Sequence, residues 1–206
     1  LSHLNPDGDA LGSSLGLYHL FSGIGHECKV ILPNEFPGFL KWLPGSEDIM
    51  IFKNNPSEAI KTIRNAGLIF SLDFNELKRL KELKDEMDHT DAFKVLIDHH
   101  PDPAIRVDYM LSDTTVSSTS ELAYHFIHNN GLEHYIDHTI ATCLFTGIMT
   151  DTGCFSYNSS NRKTWETVAA LLGYGIDKDR IYALTYDNYS EHRMRLLGFS
   201  LNEKME

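Results

Sequence analysis

Two kinds of apolar pattern alternate along the chain. Short continuous runs at residues 29–32, 49–52, 68–72 and 93–97, with a weaker one at 107–111, are rich in Ile, Val, Leu and Phe and flanked by turn residues. They predict buried strands. Residues 1–4 read as the tail of another. Between them, apolar positions recur every three or four residues, which predicts helices over 10–22, 56–65, 76–87, 118–129, 135–150, 163–174, 179–184 and 191–204. Gly23 and Gly25 supply the stop for the first helix, and Pro56 stands near the start of the second. Residues 34–48 hold two prolines and two glycines and read as a loop. Strand–helix alternation with continuously apolar strands predicts an α/β fold: a mostly parallel sheet with helices on both faces and a helical second half along one side.

Open parallel sheets bind ligands at the carboxyl ends of their strands. The residues in those positions are Asn5-Pro6-Asp7-Gly8-Asp9, Asp73 and Asp98-His99-His100, joined from the helical half by Asp151. His3, Asp7 and Asp9 put one imidazole and two carboxylates within seven residues. Pro6 holds Asn5 out of the right-handed helical region, Gly8 permits a sharp turn, and Asp9 is placed to cap the following helix. The same segment reads equally well as an ordinary turn with a helix cap. A lone Asp73 after a strand is more often a cap than a ligand. A buried strand running straight into Asp98-His99-His100 is less ordinary: adjacent imidazoles point different ways, and the acid is placed to orient one ring through its second nitrogen. Asp151 falls at a helix C-terminus, where the helix dipole disfavours a carboxylate unless a cation is near. Taken together, these four chain segments offer what a two-metal phosphoryl-transfer site needs. Their oxygen and imidazole donors suit Mn²⁺ or Mg²⁺.

Gly8, Gly12 and Gly16 recur every four residues and give the first helix one smooth face, a packing device expected to lie against the sheet. Neither standard glycine loop for nucleotides occurs. The 206 residues suit one large domain, and the 42% apolar, 23% charged mixture is that of a globular chain. No apolar run approaches a membrane span. A net charge of −11 excludes a binder that neutralises phosphates through a basic surface, but leaves room for phosphate substrates held by cations. Arg106, Arg162 and Lys163 are candidates for added phosphate contacts, with solvated surface charge the favoured reading. Cys28, Cys143 and Cys154 are odd in number and far apart, which argues against a disulfide framework and for the cytoplasm; Cys154 reads as a small core residue. Eleven histidines are many for this length. Those outside the motifs read as surface or satisfied core groups, including the i,i+4 pair His134 and His138.

The segments SHLNPDGDALGSSLGL, SLDFNELKRL, LIDHHP and MTDTGCF resemble, in order, the four motifs of the DHH phosphoesterase family, whose name comes from the triplet present as Asp98-His99-His100. Within the family the chain is most similar to the subfamily of bifunctional oligoribonucleases and 3′-phosphoadenosine 5′-phosphate phosphatases. Arg79, six residues after Asp73, also fits that subfamily. The resemblance implies an Mn²⁺-dependent hydrolase (Mg²⁺ or Co²⁺ as alternatives) with two metal ions. His3 and Asp7 would hold one, Asp9 and His99 the other, and Asp73 and Asp151 would sit between or beside them, with Asp73 the bridge. It further implies that His100 faces substrate, that Asp98 orients a histidine, and that Arg79 touches substrate. The implied substrates are short single-stranded oligonucleotides or 3′,5′-bisphosphonucleotides. Cyclic or linear dinucleotides and inorganic pyrophosphate are alternatives, as is a non-catalytic nucleotide-binding module. A homodimer and a cytoplasmic setting are also expected. On this reading residues 1–190 form the catalytic domain and 191–206 a linker helix toward a C-terminal substrate-binding domain, whose glycine-rich motif is not in the sequence.

Overall fold

The computed structural model describes residues 1–187 and 191–205. The expected boundary at residue 190 therefore lies outside the described residues. Eight α-helices run through them: α1 Gly8–Gly23, α2 Pro56–Asn65, α3 Lys84–His89, α4 Thr119–Asn129, α5 His138–Asp151, α6 Arg162–Leu172, α7 Lys178–Tyr186 and α8 Glu191–Glu203. Five strands, β1 Ile31–Leu32, β2 Met50–Ile51, β3 Leu68–Leu72, β4 Phe93–Asp98 and β5 Tyr109–Ser112, pair only in parallel, as β1-β2 and as β3-β4-β5. This is the expected α/β class. Residues 1–4 form no assigned strand, yet Leu1 lies along β3, donating to the Phe70 carbonyl and accepting from the Leu72 amide.

The strands are buried because each face meets a separate apolar layer. On one side Leu72, Val95 and Ile97 pack with Leu17 and Leu20 of α1, Leu122 and Ile127 of α4, and Leu144, Phe145 and Ile148 of α5. On the other, Ile69 and Leu96 pack with Ala59 and Ile63 of α2 and with Phe74, Leu80, Leu83 and Met87. A third cluster joins Leu11 and Leu15 of α1 to β1 and β2.

α1 has buried residues on nearly every side because it lies inside these layers. The Asp7 side chain accepts from the amides of Asp9 and Ala10, so Asp7, not Asp9, caps this helix. A left-handed Gly25 closes it, with the His26 amide returning to the Phe21 carbonyl. The glycine face of α1 meets α5 rather than the sheet. A Cβ on Gly12 would lie 2.6 Å from the Cys143 carbonyl oxygen, and those on Gly8 and Gly16 would run into Thr150 and Leu144. The start of α1 therefore sits beside the end of α5. The sheet could not offer this approach, because a sheet presents side chains, whereas α5 presents backbone at Gly147.

The largest departure from expectation lies at 76–87, where a single amphipathic helix was expected. Residues Leu77–Leu83 instead form 3₁₀ turns broken at Lys81, whose φ of 55° and ψ of −121° are non-helical, and α3 follows. The segment Leu77-Lys78-Arg79-Leu80-Lys81-Glu82-Leu83-Lys84 repeats leucine every three residues, which is the 3₁₀ period and not 3.6. Leu80 and Leu83 are fully buried. The predicted loop at 34–48 carries two short 3₁₀ turns, and α5 begins at His138, three residues later than expected, capped by Asp137.

Candidate metal centre

The chain ends that carry the candidate ligands converge on one pocket. β3 delivers Asp73 and β4 delivers Asp98, His99 and His100, as the parallel register Leu72↔Ile97 requires. The residues before α1 bring His3 and Asp7, its first turn brings Asp9, and α5 brings Asp151 as its last residue. Ligand atoms of three groups lie within 4.8 Å of one another: His3, Asp7 and Asp73; Asp9, His99 and Asp151; and Asp73, His99 and His100. The six side chains expected as metal ligands are thus brought together: His3 with Asp7 and Asp9 with His99, Asp73 joining the first pair and Asp151 the second. Asp73 links them, its Oδ2 lying 3.3 Å from His3 Nε2 and its Oδ1 3.7 Å from His99 Nε2.

Backbone geometry at these points is unusual. Asp73 adopts φ 66° and Asn5 φ 55°. Pro6 does keep Asn5 out of the right-handed region, but by placing it at positive φ. Asp and Asn tolerate this conformation better than other residues with a β-carbon, since their short polar side chains bond locally.

The atoms facing each other across the centre are acceptors. His3 Nδ1 donates to the Leu4 carbonyl at 2.8 Å, which turns Nε2 toward Asp73 Oδ2 at 3.3 Å. Burial, reinforced by neighbouring His100, pulls the His99 imidazole from 6.5 to about 4, so the ring is neutral and keeps one nitrogen lone pair; its Nε2 faces the carboxylates. That atom stands 3.7 Å from Asp73 Oδ1 and 3.6 Å from Asp151 Oδ2, beyond hydrogen-bond reach. The carboxylates repel. Burial, then the charges of Asp73 and Asp151, drives Asp9 well above the usual carboxylate range; burial, then Asp7, does the same to Asp73. Asp151 is pushed up to about 6 by burial and by Asp7. Lone pairs and buried like charges at this spacing are what divalent cations relieve, and the donor set fits Mn²⁺ or Mg²⁺.

These shifts have a signed consequence. A carboxylate whose folded pKa is raised contributes stability at low pH that is lost as pH rises; for Asp151 the loss runs from its ordinary 3.8 through about 6. The depressed His99 acts oppositely, costing stability as pH falls from 6.5 toward 4. Cations substitute for the carboxylate protons. Saturating Mn²⁺ should therefore raise the melting temperature of chelator-treated protein by about 5–10 °C at pH 7.5. The rise should be much smaller at pH 5. Calorimetry at both pH values checks this; equal shifts would contradict the linkage.

Two polar residues near the centre were not anticipated. Asp9 is buried against the N-terminus of α4, where its Oδ2 accepts from the Thr119 amide at 2.6 Å and its Oδ1 from the Ser120 amide at 2.8 Å. The expected capping role of Asp9 thus exists, but toward a helix distant in sequence. Thr119 Oγ1 also donates to Asp73 Oδ1 at 3.1 Å. The signal was present: Ser117 through Glu121 are five consecutive polar residues, and all are buried.

His100 takes a different position from His99. Its Nδ1 donates to Asp98 Oδ1 at 2.7 Å, a bond that holds the imidazole above its ordinary pKa, and its Nε2 lies 3.5 Å from Arg79 Nη1. Asp98 is fully buried, and its Oδ2 has no hydrogen-bond partner among the described residues. Asp98 thus orients His100, and Arg79 reaches the same edge of the pocket. The other candidate cations lie elsewhere: Arg162 pairs with Glu166 at 2.7 Å, and Arg106 and Lys163 are exposed. Neither His134 nor His138 joins a ligand cluster among the described residues. Cys154 is half-buried, at φ 56°, and packs against the main core.

Comparison with known proteins agrees with this geometry. A Thermus thermophilus protein named bifunctional oligoribonuclease and PAP phosphatase NrnA is 31% identical over 175 residues, covering 85% of this chain and 49% of that protein. A Streptococcus thermophilus protein named "Probable manganese-dependent inorganic pyrophosphatase" is 26% identical over 187 residues, covering 85% of this chain and 56% of that one. The crystal structure of an exopolyphosphatase-related protein from Bacteroides fragilis superposes with a TM-score of 0.96 at 46% identity, over 98% of this chain and 59% of that one. The chain thus spans between about half and three-fifths of the length of these relatives. Among the described residues no helix is long and apolar enough to cross a membrane. The profile of the DHH family, N-terminal domain, matches residues 1–148, and with all its motif residues gathered in one pocket the chain belongs to the DHH family.

Proposed function

We propose that the chain is a metal-dependent phosphoesterase that hydrolyses short oligonucleotides and 3′,5′-bisphosphonucleotides. The observation that carries this reading is the set of mutually facing acceptors: His3 Nε2, His99 Nε2 and the carboxylates of Asp7, Asp9, Asp73 and Asp151. In this proposal His3 and Asp7 hold one divalent ion, Asp9, His99 and Asp151 hold a second, and Asp73 serves both. When bound, the ions supply Lewis acidity and an activated water for attack at phosphorus.

The chain's own groups do the rest. Thr119 and Ser120 fix both oxygens of Asp9 through backbone N–H groups, which leaves the carboxylate one orientation. Asp98 holds His100 by Nδ1, so Nε2 is the atom presented to substrate. The bond from Asp98 raises the pKa of His100, and Nε2 stands where a proton could pass to the leaving oxygen. Arg79, beside it, is placed to bind a phosphate oxygen. Three unpaired cysteines support the cytoplasmic setting.

Nucleotides are the substrates favoured by the oligoribonuclease name of the Thermus relative, and pyrophosphate is the second reading, favoured by the Streptococcus one. A product assay with Mn²⁺ separates them. The panel is a 3′,5′-bisphosphonucleotide, RNA dimers to pentamers, a cyclic dinucleotide and pyrophosphate. Mononucleotides from the short RNAs and inorganic phosphate from the bisphosphonucleotide are the expected products, abolished by EDTA and restored by Mn²⁺. Activity that survives exhaustive chelation would contradict the mechanism.

A further inference from the structure

A groove of about 800 Å³ opens beside the metal centre, outside the residues assigned to it, and four of the chain's eleven lysines line it: Lys53, Lys78, Lys81 and Lys84. In a chain of net charge −11 this is a local reversal of sign. Its origin is the three-residue period described above. The 3₁₀ turns send leucines 77, 80 and 83 toward the core side, and the residue after each, Lys78, Lys81 and Lys84, follows along the rim. The non-helical backbone at Lys81 is a strained conformation for a residue with a side chain, and it lies at the middle of this row. Lys78 is paired with Glu76 at 2.6 Å, and Glu82 also faces the groove. Lys53, Lys81 and Lys84 have no carboxylate within 4.0 Å among the described residues.

The inner end of the groove is continuous with the metal loop. Leu4, next to His3, lines it, and its amide donates to the Arg79 carbonyl at 2.8 Å. Asn34, also in the lining, accepts from the Asn5 amide at 2.7 Å. Phe52 and Leu80, both buried, form the floor beneath the lysines.

We propose that this groove is a phosphate-chain subsite, which holds the phosphates beyond the scissile one when an extended polyanion is bound. The proposal rests on the phosphoesterase reading for the position of the scissile phosphate. It adds where the rest of the substrate lies and which residues set its length. Two ligands share this chemistry, the backbone of a short single-stranded oligonucleotide and inorganic polyphosphate. Lysines suit either, because an ammonium group acts as a point charge with no demand on geometry.

The test titrates a 5′-fluorescein, phosphorothioate-linked pentanucleotide into the Mn²⁺-loaded chain and reads anisotropy at several salt concentrations. In Lys53→Gln/Lys81→Gln/Lys84→Gln, affinity should fall at least tenfold, and the slope of log affinity against log salt should become shallower by about 2, at roughly 0.7 per lost phosphate contact. Lys29→Gln/Lys61→Gln/Lys178→Gln removes the same charge elsewhere and should bind as the unsubstituted chain does. Hydrolysis of a 3′,5′-bisphosphonucleotide, with only one phosphate beyond the scissile one, should lose much less than pentanucleotide binding does in the groove variant. Displacement of the probe by tripolyphosphate supports a site that reads phosphates alone; displacement only by unlabelled oligonucleotide supports a site that also recognises the sugar or base. No binding by the unsubstituted chain, unchanged affinity in the groove variant, an equal loss in the control variant, or an equal loss with the bisphosphonucleotide would overturn the proposal. Groove-dependent binding with no hydrolysis of any substrate would leave the subsite standing and remove the phosphoesterase reading.

Discussion

Asp73→Asn is expected to lower metal-dependent hydrolysis by about 10³-fold or more while leaving the fold intact. Partners one shell out from a metal typically cost 10–100-fold when removed, and Asp73 is the one carboxylate in contact distance of both histidines, His3 and His99. Asn is the informative replacement for two reasons. It tolerates the φ of 66° at this position, so the turn after β3 is kept. Its carbonyl oxygen can still accept from Thr119 Oγ1. The same variant should be more stable than the unsubstituted chain, by about 1–3 kcal/mol, and so melt higher when both are treated with EDTA at pH 7.5, because one of several buried, mutually repelling acids is gone. Adding Mn²⁺ should then reverse the order. Near-normal turnover, or a melting temperature that falls without metal, would remove Asp73 from the role proposed for it.

Gly12→Val should be the most damaging single change away from the pocket. Its Cβ would sit 2.6 Å from the Cys143 carbonyl oxygen and 2.8 Å from the Gly147 nitrogen. Both are backbone atoms of a buried helix, which cannot turn aside as a side-chain tip does. Forced overpacking costs about 1–3 kcal/mol and more where backbone must move, a fall of roughly 5–10 °C in melting temperature for a chain of this size. The loss extends to function: α1 carries Asp9, α5 carries Asp151, and the two helices are spaced by this contact. Gly23→Ala is the control, since nothing lies within 4 Å of its added Cβ and φ there is not positive. Equal stability of Gly12→Val and Gly23→Ala would show that the helices are not held by the glycine seam.

The parts of this structure that were legible in the sequence were those set by local rules. Apolar runs located β3 and β4, and the acids and imidazoles at their ends marked the pocket, because a parallel sheet collects strand ends on one edge. Four motifs in order pointed to six candidate ligands, and the fold brings those side chains together. Information carried by long-range contact was harder to read. Asp9 looked like a cap for its own helix, but the amides it satisfies belong to α4, more than a hundred residues away. The glycine face of α1 looked suited to a sheet, yet only another glycine-bearing helix could approach so closely. The break at Lys81 was legible in principle. Side chains on periods of 3.0 and 3.6 diverge by about 20° per residue, roughly a third of a turn over the six residues from Leu77 to Leu83, enough to separate the two readings.

The leucine–lysine triplet also limits how this segment can change. An added or deleted residue between Leu77 and Lys84 would rotate everything beyond it by about a third of a turn, carrying ammonium groups under the sheet and leucines into water. Length variation here is therefore admissible only in steps of three, while point replacement of any single rim residue stays cheap. Across homologous chains the segment should drift in composition and hold its length.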